Sequence, residues 1–172
     1  MLEEWHDFYL LIGGSSGALI GLLFVVASLT GYLDQQQTER GRELYISPTV
    51  YHFAVVLGVG GLSMAPHVPI RVGALIVAAG GLTGLGYMVV VMRDFVLKRT
   101  PLPPHWTDPW FYGVLPGLAY VAMTGAGLLM ALDPGPGATL LAASQGGLLA
   151  VSIRNAWDLI TWIAPRSEKP KP

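Results

Sequence analysis

The chain contains no cysteine, which excludes a disulfide framework, a thiolate nucleophile and any thiolate-bound metal. It is also poor in charge. Asp, Glu, Lys and Arg make up 12% of its 172 residues, about half of the ~25% usual in soluble domains, and too little for a surface facing water on all sides. A net formal charge of −1 offers no basic footprint for nucleic acid. The polar stretches are all short, leaving no room for a soluble catalytic domain. What fills the chain instead is apolar: 52% hydrophobic residues and a mean hydropathy of +0.52. Its 22 glycines and 13 prolines would suit disorder only alongside low hydrophobicity and high charge. Here the glycines sit within apolar runs, where membrane helices tolerate them.

Five apolar runs follow one another, at residues 8–33, 47–65, 69–92, 109–132 and 138–164. Each is near or above the ~20 residues that cross a ~30 Å hydrocarbon core, the second being the shortest. Ser47-Pro48 and Asp108-Pro109 pair a capping side chain with a proline at the first helical position. Pro66-His67-Val68-Pro69 and Asp133-Pro134-Gly135-Pro136-Gly137 read as tight turns, so segments two and three, and four and five, are expected to form antiparallel hairpins. The connections at 34–46 and 93–107 are longer and polar. No internal repeat is present. The predicted fold is all-α: a polytopic transmembrane helix bundle of about five helices, a single membrane domain over 1–172 ending in a short cytoplasmic tail at 165–172.

Lys and Arg set the expected orientation. Arg40, Arg42, Arg93, Lys98, Arg99, Arg166, Lys169 and Lys171 fall on one side of such a bundle, and only Arg71 on the other. The positive-inside bias places the eight in the cytoplasm and predicts an N-out, C-in chain. The flank Glu3-Glu4-Trp5-His6-Asp7 is acidic where a secretory signal is basic, so segment one reads as an uncleaved first helix.

Small residues recur at helical spacing. Gly13, Gly17 and Gly21 mark segment one, Gly80 and Gly84 segment three, Gly113 and Gly117 segment four, and Ala138, Ala142, Gly146 and Ala150 segment five. Such stripes let helix backbones approach closely in lipid. They serve either packing within one bundle or a homo-oligomer interface, and the spacing alone does not choose. Pro116, well inside segment four, is expected to kink it.

Polar residues inside membrane segments are candidate functional groups by default. Segment five carries most of them, and Arg154, Asn155 and Asp158 form the candidate intramembrane polar site. Arg154 and Asp158 are one turn apart and can pair along the helix. They prolong the stripe that ends at Ala150, which would turn them toward protein rather than lipid. The competing reading is a snorkelling arginine neutralised by its neighbour; the functional one is a charge lining a cytoplasmic vestibule or holding a lipid head group. The four histidines are scattered. His6, Asp7 and His67 lack ligand spacing, and no metal site or cofactor is expected. The proline-rich stretch from Thr100 to Trp106 is either a stiff spacer or a contact surface for a cytoplasmic partner.

Gly21-Leu22-Leu23-Phe24-Val25-Val26-Ala27-Ser28-Leu29, following Trp5 and Phe8, resembles the opening of a group of small bacterial multi-pass membrane proteins. Arg154-Asn155-Ala156-Trp157-Asp158-Leu159 resembles their closing helix. Some of that group are named as modulators of a membrane-anchored AAA protease. The resemblance implies a non-enzymatic accessory role in the bacterial cytoplasmic membrane and brings no catalytic residues.

An enzyme is disfavoured on the residues themselves. No paired histidines with a carboxylate occur for an intramembrane metalloprotease, and Ser15 and Ser16 lie more than two helical turns from His6. A coupled transporter would need midplane carboxylates and repeats. An oligomeric channel is the alternative, with Ser15, Ser16, Ser28, Thr83, Thr124, Ser144 and Gln145 as candidate pore-lining groups. The expected partners are membrane lipids and either another membrane protein or further copies of this chain, with no nucleic acid.

Overall fold

The computed structural model describes residues 3–30, 47–97 and 106–163. The charged connection at 34–46, the stretch from Lys98 to His105 and the tail lie outside the described residues. A 3-10 turn at Glu3–Trp5 leads into α1 (His6–Thr30). Next come α2 (Ser47–Met64) and α3 (Ile70–Val96). A π-helical turn (Trp110–Val114) then runs directly into α4 (Leu115–Leu132), followed by α5 (Pro134–Ile163). The fold is all-α, with no strand among the described residues.

Four stretches are long and apolar enough to cross a membrane: His6–Ser28, Ile70–Val96, Trp110–Leu132 and Pro134–Thr161. The chain is a multi-pass membrane protein by that measure. The helix α2 is not among the four. It has 18 residues, about 27 Å at helical rise, and opens on the polar run Ser47-Pro48-Thr49 with His52 one turn later. Thr49 and His52 are fully buried, so this polarity faces protein.

Helix ends depart from the sequence expectation where proline was read as a stop. The fifth helix begins at Pro134 rather than at 138, so its connection to α4 shrinks to Asp133. Pro134 and Pro136 fall in the first helical turn, where no intrahelical N–H is required and a fixed φ fits the helix. The Gly137 N–H closes that turn on the Asp133 carbonyl at 3.4 Å. The third helix extends about one turn past the expected end at 92, to Val96, and carries Arg93 and Asp94 within it. The first starts at His6 rather than at 8; its expected end at 33, like that of the last at 164, lies outside the described residues.

Pairing follows the closest backbone approaches. On α1 and α2, Gly13 faces Gly60, and Gly17 faces the Leu57 side chain, so the two run antiparallel. A methyl group at Gly60 would stand 3.1 Å from the Tyr9 carbonyl oxygen and 3.2 Å from the Gly13 Cα. Antiparallel α3 and α4 meet where Gly84 receives the Tyr120 ring, Gly81 lies on the Thr124 backbone and Gly127 lies on the backbone of Ala74 and Ala78. Met130 against Gly137 and Leu140 against Gly125 set α4 antiparallel to α5.

The expected hairpin of α4 and α5 is therefore present. That of α2 and α3 is not a packed hairpin: α2 lies chiefly on α1 and then on α5, and touches α3 only slightly. The small-residue face of α3 is taken up by α4, which leaves α2 to seat Gly60 on α1. His67, in the turn between them, holds φ at 61°, a left-handed conformation uncommon outside glycine.

The close approach of α3 and α4 predicts a contrast between two glycines. Gly127→Ala is expected to destabilise the fold by about 1–3 kcal/mol, because backbone on the facing helix cannot yield to a new methyl group. Gly61 has open space at its Cβ position, and Gly61→Ala is expected to be neutral or stabilising by up to ~1 kcal/mol. Reversible unfolding in mixed micelles measures both; equal effects would remove the α3–α4 contact as a source of stability.

Candidate functional site

Arg154, Asn155 and Asp158, the polar residues singled out on α5, touch one another but are differently placed. Asn155 is wholly buried, whereas the side chains of Arg154 and Asp158 are 35% and 49% exposed. They do not continue the inner stripe. Residues four apart drift about 40° around a helix, so the stripe that is buried at Ala138 and Ala142 has come to the surface by Ala150 and stays on the rim at Arg154 and Asp158. The inner face of the lower part of α5 is instead Leu148, Ser152, Asn155 and Leu159.

What these residues hold is the π-helical turn. In that turn the Leu115 N–H reaches back five residues to the Trp110 carbonyl, and the next donor in line would be residue 116. Pro116 has no N–H, which strips the Phe111 carbonyl of its partner. Asn155 supplies one: its Nδ2 donates to the Phe111 oxygen at 2.9 Å. In return the Tyr112 hydroxyl donates to the Asn155 carbonyl at 3.2 Å. The Arg154 guanidinium lies 3.8 Å over the centre of the Phe111 ring, donates to Asn155 Oδ1 at 3.4 Å and pairs with Asp158 Oδ2 at 3.6 Å. The cluster is a clamp that repairs a proline defect and ties α4 to α5. A kink was expected at Pro116; what the helix shows there is a π turn that begins six residues earlier, at Trp110.

A second polar group, not foreseen as a unit, lies deeper. His52 on α2 is fully buried, and its Nδ1 lies 2.8 Å from the Tyr120 hydroxyl on α4. Tyr51 packs edge-on to Tyr87 at 4.9 Å between ring centres and leans on Tyr120 at 6.2 Å. Gln145 on α5, also fully buried, donates from Nε2 to Ser144 Oγ at 3.5 Å. Four buried polar atoms have no hydrogen-bond partner among the described residues: Tyr9 Oη, Ser16 Oγ, His52 Nε2 and Gln145 Oε1. The sequence signal for this group was present but diffuse, in a histidine and three tyrosines scattered over three apolar runs.

Of the eight glycines expected to pack, Gly13 lies on Gly60, Gly17 beside Leu57, Gly80 beside the end of Met123, Gly84 on Tyr120, Gly113 on the end of Met92, Gly117 beside Met88 and Gly146 beside Phe8. Gly21 has no atom of the described residues within 4 Å of its Cβ position. Spacing did not single out Gly60, Gly81, Gly127 or Gly137, each of which makes a closer backbone approach. No group of three or more His, Asp or Glu side chains gathers as a metal site among the described residues. Compared with protein-family models, curated proteins and solved structures, the chain matches none.

The clamp predicts that Asn155→Ala costs about 1–3 kcal/mol of stability, the penalty for a buried carbonyl left unpaired. Pro116→Ala restores a backbone donor, so in that background the same Asn155→Ala change should cost much less. A double-mutant cycle by unfolding in micelles reads the coupling, and strict additivity would separate Asn155 from the proline defect.

Proposed function

We propose that this chain is a non-enzymatic accessory protein of the bacterial cytoplasmic membrane, acting through contact of its outer helix faces with another membrane protein. The observation that carries this reading is where the hydroxyl groups go. Ser28 donates to the Phe24 carbonyl at 2.8 Å, Thr83 to Gly80 at 2.9 Å, Thr124 to Tyr120 at 2.9 Å and Ser144 to Leu141 at 2.8 Å. These are four of the seven groups with which an oligomeric pore would line itself, and each of the four is bonded to its own helix. Ser16, Ser144 and Gln145 are moreover buried inside a single chain, out of reach of a pore formed between copies. The outer faces are left to Leu11, Phe24, Leu75, Val89 and Leu118, which suit lipid or an apolar partner surface. The one ion pair of α5 is spent on its own neighbours. The accessory reading also agrees with the resemblance carried by the two end helices.

Native mass spectrometry of the protein, extracted from its own membrane with lipids retained, tests this. The expected result is a stoichiometric complex with a different membrane protein. A closed homo-oligomer without one would instead favour the small homo-oligomeric channel and overturn the accessory role.

The same proposal takes α2 as a fifth crossing, packed on α1 and α5 with Thr49 and His52 turned inward, so that the N-terminus lies outside and the C-terminus in the cytoplasm. The cysteine-free chain is its own background for testing this. Single cysteines replacing Glu4 and Lys169 should react with a membrane-impermeant maleimide from opposite sides of sealed cells, the first from outside. Labelling of both from one side would mean that α2 does not cross.

A further inference from the structure

The ion pair on α5 uses only one corner of its arginine. Arg154 turns Nη1 to Asn155 Oδ1 at 3.4 Å and to Asp158 Oδ2 at 3.6 Å, both longer than a charge-assisted hydrogen bond usually is. Its Nε and Nη2 bond to no other side chain or carbonyl among the described residues. Those two nitrogens form the side of a guanidinium that grips an oxyanion through parallel N–H bonds. The group is held in place, with its flat face 3.8 Å over the centre of the Phe111 ring. Phe111 is pinned in turn by the bond from Asn155 to its carbonyl. Arg93, near the end of α3, differs: its Nε and Nη2 both reach Asp94 Oδ1, at 3.4 and 3.3 Å, so the equivalent edge is taken.

Depth decides what meets that free edge. From Pro134, where α5 begins, to Arg154 is roughly 30 Å at helical rise, the thickness of a hydrocarbon core. On α4, Phe111 stands a similar distance from Leu132 at the opposite end. The guanidinium therefore lies at the level of lipid head groups, a level that Trp110 and Trp157 share, 53% and 70% exposed. We propose that Arg154, seated on Phe111, is a binding site for the phosphodiester of a membrane phospholipid. Two phosphate oxygens take the Nε–Nη2 edge, and the exposed side chains of Ile153 and Trp157 offer apolar surface to the chains below. A phospholipid is the oxyanion that this level of the membrane supplies in greatest number, and it alone brings acyl chains to that surface. Because the arginine is already seated, little ordering is lost on binding. Asp158, with its side chain 49% exposed, repels an incoming anion and tempers the affinity. The site is separate from the apolar faces assigned above to a protein partner.

Phosphatidylglycerol titrated onto the whole chain in a nonionic micelle, with bound copies counted by native mass spectrometry, tests the site. Arg154→Gln should weaken the tightest binding step roughly three- to tenfold, the loss of charge-assisted hydrogen bonds at a partly exposed position. Arg93→Gln removes the same charge at the same end of the bundle and should leave that step nearly unchanged. Asp158→Asn should tighten it. That variant keeps Arg154, Asn155 and Phe111, so it reports on the site even where loss of the arginine loosens the clamp. Equal weakening by Arg154→Gln and Arg93→Gln would reduce the effect to diffuse charge attraction and overturn the site. An Asp158→Asn protein that binds the lipid no better than the unaltered chain would overturn it as well. Inorganic phosphate in excess should fail to displace the lipid; displacement would make this a site for a free anion and overturn the lipid assignment.

Discussion

Within hydrocarbon, every backbone carbonyl has to find its hydrogen-bond donor inside the protein, because no water is present to replace a missing one. Much of the lower half of this bundle can be understood from one breach of that rule. Pro116 deprives the Phe111 carbonyl of its donor, the helix widens into a π turn, and an amide from the neighbouring helix closes the gap. The repair fixes which face of α5 points inward at Asn155 and so dictates that Arg154 and Asp158 lie on the rim. It also places Phe111 where a guanidinium can rest on it. A local covalent fact about one residue thereby determines the rotation of a facing helix and the exposure of the one charge pair that α5 carries.

The helices themselves were legible in the sequence because their signal is crude and additive: long apolar runs bounded by charge or by capping residues. Their partners were much less so. A tight turn suggested that α2 and α3 would pack as a hairpin, yet contact area goes where backbones approach most closely, and Gly60 and Gly13 outweigh the shortness of a connection. Four-residue spacing marked Gly80 and Gly84, while the backbone of α4 comes closest at Gly81. The rotation of a helix by one residue is below what spacing alone resolves. In α5 the same arithmetic led the other way, since a drift of about 40° per step, accumulated from Ala138 to Asp158, turns an inner stripe into an outer one.

The candidate site was half legible. Arg154, Asn155 and Asp158 stood out because polar side chains in a membrane segment are few, and they do act together. That Asn155 serves the chain's own backbone depends on a residue more than forty positions away, a pairing that no local pattern encodes. The pairing of His52 with Tyr120 is of the same kind. Each residue alone reads as an unremarkable membrane histidine or tyrosine, and the meaning arises only when α2 and α4 are brought together.

The position of α2 shows why the bundle needs its other helices. By length and composition it is the least able of the five to enter lipid, and its polar residues Thr49 and His52 would be exposed on a helix standing alone. Packed on α1 and α5 it buries both, and His52 gains a hydroxyl partner from α4. The apolar helices thus form the solvent into which α2 partitions, and the polarity that would exclude it from the bilayer becomes what orients it within the protein. A helix turned by one residue would point His52 away from Tyr120 and toward hydrocarbon. The histidine therefore sets the register of α2 in much the way that a single buried polar residue sets register in a coiled coil, and the specificity comes from the high cost of every alternative.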